Sequence, residues 1–386
     1  MLAFTARSLF SPIDVLDRPL VLVEDGAIVS LGSLATSEIP SKVAVVNFDN
    51  CILAPGLVDI HIHGAAGYDV MQPDAHAKRG MEQFLARHGV TSYYPTTVTA
   101  PLAVIQAAVE RLANSIEEAG KSFAGAYPQP LGIHLEGPFL SHARRGVHPP
   151  EDLLAPSINL FEKLWQAARG HIRLMTIAPE LDCALEVIAE ASKRGVCVSL
   201  GHSDADLSTA RKGAAAGARH ATHTFNAMRP LDHREPGILG AVLTDSRLTA
   251  DVIADGIHVD PIMVELLVKL KGIENIVLIT DGISATGMPD GRYRLGSLEV
   301  ELKQGKCLRD GKLAGSVLTM DRALKNCMEF AKLDLHQCLR TATLNPAQVA
   351  DAPNKGTLQV GADADFVVLT DEGELRATIV RGVVVQ

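Results

Sequence analysis

Val58-Asp59-Ile60-His61-Ile62-His63 alternates apolar and polar side chains with a period of two, the pattern of a β-strand. His61 and His63, one residue apart, share a face of that strand and can meet a single ion. Seven more short apolar segments follow it. Four of them end in residues of the same chemical kind: Ile133-His134-Leu135-Glu136-Gly137-Pro138, Ser199-Leu200-Gly201-His202-Ser203, His220-Ala221-Thr222-His223 and Leu278-Ile279-Thr280-Asp281. One polar residue at the end of a buried strand is ordinary. Five such ends, carrying imidazoles and carboxylates able to grip a divalent metal or move a proton, are not explained by packing.

From Ile52 onward, short β-rich runs alternate with longer amphipathic stretches. Strands are predicted over residues 52–63, 90–99, 131–139, 172–178, 196–202, 221–225, 248–259 and 276–284. Apolar residues at helical spacing predict helices over 74–88, 101–119, 181–194, 206–216, 261–271 and 321–332. The sixth crossover, near residues 235–243, is short and glycine-rich. Eight strands alternating with helices imply parallel βαβ units, which close naturally into a barrel. An open doubly wound sheet is the rival, but no GxGxxG turn joins a strand to a helix, and the reactive ends are spread along the series. The fold class is therefore α/β, a (β/α)8 TIM-type barrel over residues 52–350. Residues 1–51 and 351–386 carry short β runs and turns such as Asp25-Gly26, and read as one small β-sandwich domain built from both chain termini. A glycine-rich alternating stretch near 290–315 reads as a β-hairpin inserted after the last barrel strand.

At 386 residues the chain suits one large domain and a small one, since single cores stop growing near roughly 250–300 residues. A formal net charge of -9 argues against nucleic acid as the main partner, because phosphate backbones need a basic face. No apolar run approaches the ~20 residues of a membrane helix, and no basic segment followed by a long apolar run opens the chain. Neither a membrane span nor a signal peptide is expected. Cys51, Cys183, Cys197, Cys307, Cys327 and Cys338 are scattered without a CxxC pair and read as reduced thiols, which points to a cytoplasmic location.

Glu136 stands between an apolar strand and Gly137-Pro138, where burying an unpaired carboxylate is costly. A metal is its simplest partner; an ion pair with Arg144 or Arg145 is the alternative. With His202 and His223 it makes three ligands and leaves an open position for water, as a catalytic metal requires. Core histidines bonded to backbone carbonyls are the plainer reading of the two imidazoles. Asp281 can take a proton from the attacking water and return it to a leaving amine; a helix N-cap is the plainer reading. His134 reads as a supporting group and His220 as structural. Imidazole and carboxylate donors accept zinc, iron(II), cobalt or manganese, so availability decides the ion.

Ala54-Pro55-Gly56-Leu57-Val58-Asp59 followed by HxH resembles the opening of the barrel in the amidohydrolase superfamily. His134-Leu135-Glu136-Gly137-Pro138-Phe139, Thr222-His223-Thr224-Phe225-Asn226-Ala227-Met228, Arg234-Glu235-Pro236-Gly237, Ala254-Asp255-Gly256-Ile257-His258 and Leu313-Ala314-Gly315-Ser316 are similar to segments of one family within it, the N-acetylglucosamine-6-phosphate deacetylases. The likeness extends to Asn345-Pro346-Ala347 and covers nearly the whole chain. It implies that Glu136, His202 and His223 are metal ligands and that Asp281 is the catalytic acid/base. It implies that His148, Asn226, Ala227, Arg234 and His258 hold the sugar phosphate, with Leu313, Ala314 and Gly315 in a loop against the substrate. Arg234 would offer a fork of donors suited to phosphate. Members of the family differ at the first strand; this chain keeps both His61 and His63, which leaves room for a second metal sharing Glu136. One or two divalent metals per subunit are thus expected. The implied reaction takes N-acetylglucosamine 6-phosphate to acetate and an amino sugar phosphate. The galactosamine epimer, a cyclic amide or an N-acyl amino acid are alternative substrates, and a barrel that has lost catalysis and serves as a scaffold is the non-enzymatic alternative. A homodimer or higher homo-oligomer is implied, in which a phosphate-binding arginine can come from the neighbouring subunit.

Overall fold

The computed structural model describes residues 1–121 and 127–385. Its central strands are Leu57–Ile62, Val90–Pro95, Ile133–Glu136, Ile172–Ile177, Cys197–Leu200, His220–Ala221, Thr249–Val252 and Ile276–Leu278. The first two pair with each other and the other six pair in sequence order, every pairing parallel. Single parallel bridges, Thr96 with His134 and Ile62 with Gly282, link the two groups. Helices follow the strands in turn: Ala75–Arg87, Leu102–Lys121, Ile158–Ala167, Ala184–Lys193, Leu207–Ala216, Gly237–Thr244, Pro261–Lys271 and Met320–Ala331. Asp74, Ser157, Asp206 and Asp260 accept hydrogen bonds from first-turn amides, which fixes where four of these helices begin. The arrangement is of the TIM-barrel type, in which side chains at the C-terminal strand ends gather on one face. Among the described residues no helix is long and apolar enough to cross a membrane.

The strands stop sooner than their apolar runs suggest. The sixth holds only His220–Ala221 and the eighth only Ile276–Leu278. The cause is a change of backbone hand directly after them: His223 and Asp281 have φ of 31° and 50°, outside any extended conformation. The helix Ile158–Ala167 fills the third crossover, for which the apolar spacing singles out no range.

Both chain ends enter one eight-stranded sheet. Leu2–Ser11 and Ala44–Pro55 run parallel within it, and Phe366–Leu369 adds antiparallel to Ala44–Pro55. Phe4, Val21, Leu53, Phe366 and Ile379 form a core of its own. Ile52–Pro55, predicted as the start of the first barrel strand, pair here with Phe366–Leu369 instead. The chain passes into the barrel at Gly56, where a Cβ would stand 2.2 Å from Thr91 Oγ1; only glycine allows that approach.

The segment predicted as a hairpin is a four-stranded antiparallel sheet: Gly291–Leu295, Leu298–Lys303, Lys306–Arg309 and Lys312–Leu313. Gln304-Gly305 and Asp310-Gly311 are each left-handed at both residues, so each pair reverses the chain in a two-residue turn.

Candidate metal centre

Three strand ends turn sharply toward the barrel axis. His202, His223 and Asp281 take left-handed φ values of 46°, 31° and 50°, which non-glycine residues keep only when their surroundings enforce it. The Asp281 N–H donates to His61 O at 2.9 Å, and Asp281 O accepts from Ser316 N–H at 2.8 Å. The His223 carbonyl accepts from Asn226 N–H at 2.9 Å. The Asp281 turn is thus tied to two neighbouring segments and the His223 turn closes on itself, while the His202 carbonyl accepts from Ser141 N–H at 3.0 Å.

Glu136, 2% exposed, occupies the centre and divides its two oxygens between two histidine pairs. Oε1 is 3.3 Å from His202 Nε2 and 3.2 Å from His223 Nε2. Oε2 is 3.5 Å from His61 Nε2 and 3.2 Å from His63 Nε2. The Nε2 atoms within the pairs are 3.1 Å and 3.3 Å apart, respectively. Asp281 Oδ1 adds a second carboxylate to the His61/His63 side, at 3.4 and 3.2 Å. His148 Nε2 stands 3.8 Å from Glu136 Oε2. All of these side chains are buried.

The outward-facing ring nitrogens explain why the Nε2 atoms converge. His63 Nδ1 donates to Thr96 O at 3.1 Å, His202 Nδ1 to Arg144 O at 2.9 Å and His223 Nδ1 to Asn226 O at 3.2 Å. A ring that gives Nδ1–H to a carbonyl turns its Nε2 lone pair inward, the way a histidine is set for a metal. Two such nitrogens facing each other near 3 Å need a cation or a proton between them. The donor set therefore fits a divalent cation on each side of Glu136. His61 Nδ1 is the exception, with no hydrogen-bond partner among the described residues.

The electrostatics agree. Burial opposes ionisation of Glu136, but His61, His202 and His223 outweigh it and hold the carboxyl well below its usual range. Burial likewise opposes the charge on Asp281, and His61 and His63 overcome it, leaving the group at about 2. Bonds to Asp281 and Glu136 lift His63 to about 10 against the effect of burial, and Glu136 lifts His223 to about 9 in the same way. Burial and then the neighbouring His202 charge push His148 down to about 3, so that ring is neutral. In the protein alone, protons on His63 and His223 supply the positive charge; a divalent cation would displace them.

A family model described as the amidohydrolase family matches residues 52–385. The chain belongs to the amidohydrolase family. Across 346 residues it is 40% identical to a Bos taurus N-acetylglucosamine-6-phosphate deacetylase, covering 86% of this chain and 83% of that one. It is 39% identical over 368 residues to an N-acetylgalactosamine-6-phosphate deacetylase of Escherichia coli O157:H7, covering 94% of each. Among solved structures it superposes on an aspartate-to-alanine mutant of the Mycobacterium smegmatis N-acetylglucosamine-6-phosphate deacetylase in complex with N-acetylglucosamine 6-phosphate. The TM-score is 0.92 at 33% identity, over 100% of this chain and 99% of that one.

In this amidohydrolase the residues expected to touch substrate divide into those near the cluster and those that are not. Asn226 and Ala227 lie in the turn after His223, and Asn226 Nδ2 is buried with no hydrogen-bond partner among the described residues. Of the Leu313–Gly315 segment, Gly315 lies beside Asp281: Ser316 bonds the Asp281 carbonyl, and a Cβ on Gly315 would meet Asp281 O at 3.1 Å and Ile283 Cγ2 at 2.3 Å. Leu313 pairs with Leu308 and Ala314 N–H bonds Cys307 O in the inserted sheet. His258 is fixed through Nδ1 to Asp255 Oδ2 at 2.7 Å. Arg234 is elsewhere. It is exposed and lines a cavity of about 800 Å³ with Arg211, Lys212 and Arg229, beside the helix Leu207–Ala216, and none of the metal-facing residues shares that cavity. Arg144 pairs with Asp204 at 2.7 Å and Arg145 bonds His142 O at 3.2 Å, so neither arginine is the partner of Glu136. His134 sits below His61 with ring centroids 4.5 Å apart and bonds Thr176 Oγ1 at 2.8 Å. Sequence reasoning missed the carbonyls of Thr96, Arg144 and Asn226. A backbone acceptor leaves no mark in residue identity.

Proposed function

We propose that this amidohydrolase is a metal-dependent deacetylase that converts N-acetylglucosamine 6-phosphate to glucosamine 6-phosphate and acetate. The carrying observation is the division of Glu136 between two inward-facing histidine pairs with Asp281 alongside, in a chain whose relatives are named for this reaction. Glu136, His202 and His223 would hold one divalent cation. His61 and His63, with the other Glu136 oxygen, would hold a second. Zinc, iron(II), cobalt and manganese all suit these donors.

When bound, such a cation supplies Lewis acidity that polarises the amide carbonyl and lowers the pKa of water from about 15.7 toward neutrality. The remaining work falls to the protein. Asp281, a carboxylate at neutral pH, takes the proton of the attacking water and delivers it to the departing nitrogen. The Thr99 N–H points at His148 Nδ1 from 3.3 Å, so the neutral ring carries its proton on Nε2 and offers it to a substrate oxygen. The Asn226 side-chain N–H group, which has no partner among the described residues, and the Leu313–Gly315 loop orient the sugar. Arg234 is assigned to the phosphate bound by the neighbouring subunit of a homodimer, since it does not line this chain's own cluster.

The same reading closes the eight strands into one barrel entered at Gly56, with the sheet built from both chain termini, Ile52–Pro55 included, as a small β domain, and places the enzyme in the cytoplasm. Six free cysteines support that location. Relatives at 40% and 39% identity are named for the glucosamine and the galactosamine phosphate respectively, so both epimers enter the test. Acetate release is the test, measured on both N-acetylhexosamine 6-phosphates and on free N-acetylglucosamine, with and without chelator. Release from a phosphorylated sugar that chelator abolishes and added metal restores is expected. Release indifferent to chelator, or from neither phosphate, overturns the proposal.

A further inference from the structure

We propose that Asp251 is a positioning residue for His223, its carboxylate fixing the turn that aims the imidazole at Glu136. Asp251 lies on the seventh strand, Thr249–Val252, and is fully buried. One carboxylate oxygen, Oδ1, accepts the backbone N–H of His223, and the Asp251 carbonyl accepts the N–H of Thr224 at 2.9 Å. The other, Oδ2, accepts from His220 Nε2 at 3.0 Å, and His220 Nδ1 meets Thr249 Oγ1 at 2.7 Å. A single residue on the adjacent strand thus grips both amides that follow Thr222.

That grip matters because the segment it holds is unfavourable by itself. His223, Phe225 and Ala227 have φ of 31°, 81° and 50°, three left-handed non-glycine residues within five positions. Such conformations persist only where neighbours over-determine them. The sixth strand contributes little, since it pairs through His220 and Ala221 alone. Without an acceptor the buried His223 N–H is left unsatisfied, and the turn recovers a bond only by changing φ. That rotation carries Nε2 away from Glu136 Oε1, 3.2 Å distant, and from His202 Nε2, 3.1 Å distant.

The inference rests on the reading of His223 as a ligand, and one experiment separates the two. Zinc affinity of the metal-free protein is measured by competition with a chromophoric chelator for wild type, Asp251→Ala, Asp251→Asn and His223→Ala. Loss of an orienting partner should weaken zinc binding roughly 10–100-fold in Asp251→Ala. Asparagine keeps an acceptor for the His223 N–H, and its amide can donate to His220 Nε2 once His220 donates from Nδ1 to Thr249 Oγ1. Asp251→Asn should therefore stay within about threefold of wild type, below the usual cost of losing an orienting partner. A lowered melting temperature in Asp251→Ala would follow from any structural role. A zinc affinity changed well below the melting transition would not. Wild-type affinity in Asp251→Ala, or an equal loss in Asp251→Asn, overturns the positioning role. Full zinc binding by His223→Ala overturns the ligand reading instead. Where Asp251→Ala does not fold, Asp251→Leu keeps the volume without the acceptor and carries the same expectation.

Discussion

Replacing Asp281 with asparagine keeps the shape of the side chain and removes its capacity to take a proton. Asp281 Oδ1 lies 3.4 Å from His61 Nε2 and 3.2 Å from His63 Nε2, and its side chain retains 12% exposure, enough for a substrate to reach it. Burial works against its charge, yet the two imidazoles hold the carboxyl near 2, so it is fully ionised at the pH where water must be activated. General acid–base groups contribute about 10²–10⁴ in rate. At 1.36 kcal/mol per decade this corresponds to roughly 2.7–5.4 kcal/mol of barrier. The asparagine Oδ1 can still accept from His63, and Glu136, His202 and His223 are untouched. Metal bound by those three should stay at its wild-type level. The expected result is a kcat at least 100-fold lower with little change in KM, read by acetate release beside metal content of the same preparation. A kcat within tenfold of wild type would refute the base assignment, as would activity falling only in proportion to lost metal.

Four further outcomes follow from the geometry. Glu136→Gln, which removes the shared negative charge, should strip metal from both sides of the cluster on dialysis; one full equivalent retained would show that the two sides do not share Glu136. In metal-free protein His63 and His223 titrate near 10 and 9 instead of 6.5, because their carboxylate bonds outweigh burial. The folded state then carries more protons than the unfolded one between pH 6.5 and those values, so this stabilisation is complete below 6.5 and lost as pH rises. The melting temperature of the metal-free protein should fall across that window, and a rise would contradict the assignment. Gly315→Ala places a methyl 2.3 Å from Ile283 Cγ2 at a φ of 60°, and should raise KM several-fold at unchanged metal content by displacing the loop beside Asp281. Equal mixing of Arg234→Ala with Glu136→Gln subunits should recover activity that neither variant shows alone if Arg234 serves a neighbour; an inactive mixture that has exchanged subunits denies it.

Much of the site could be read along the chain. The period-two alternation around His61 and His63 fixes which face both imidazoles share, and an acid before Gly137-Pro138 needs a partner wherever the strand ends up. The helix starts at Asp74, Asp206 and Asp260 were equally legible, because capping joins residues two or three apart. The terminal boundary was not: Ile52–Pro55 read as barrel strand because they are apolar, and only their pairing with Phe366–Leu369 assigns them to the other sheet. The doubled hairpin after Pro289 was half-read for a similar reason, its second and third turns being short enough to pass as loop.

Residue types and their spacing alone determined the chemistry on offer: four imidazoles and two carboxylates at strand ends. What tertiary structure decided is how they are shared out. That Glu136 meets two histidine pairs, that Asp251 accepts the His223 N–H, and that Arg234 lines a different cavity follow from how segments dozens of residues apart are placed. Local periodicity carries no information about such pairings, because they depend on which strands lie side by side and on backbone carbonyls that every residue possesses alike.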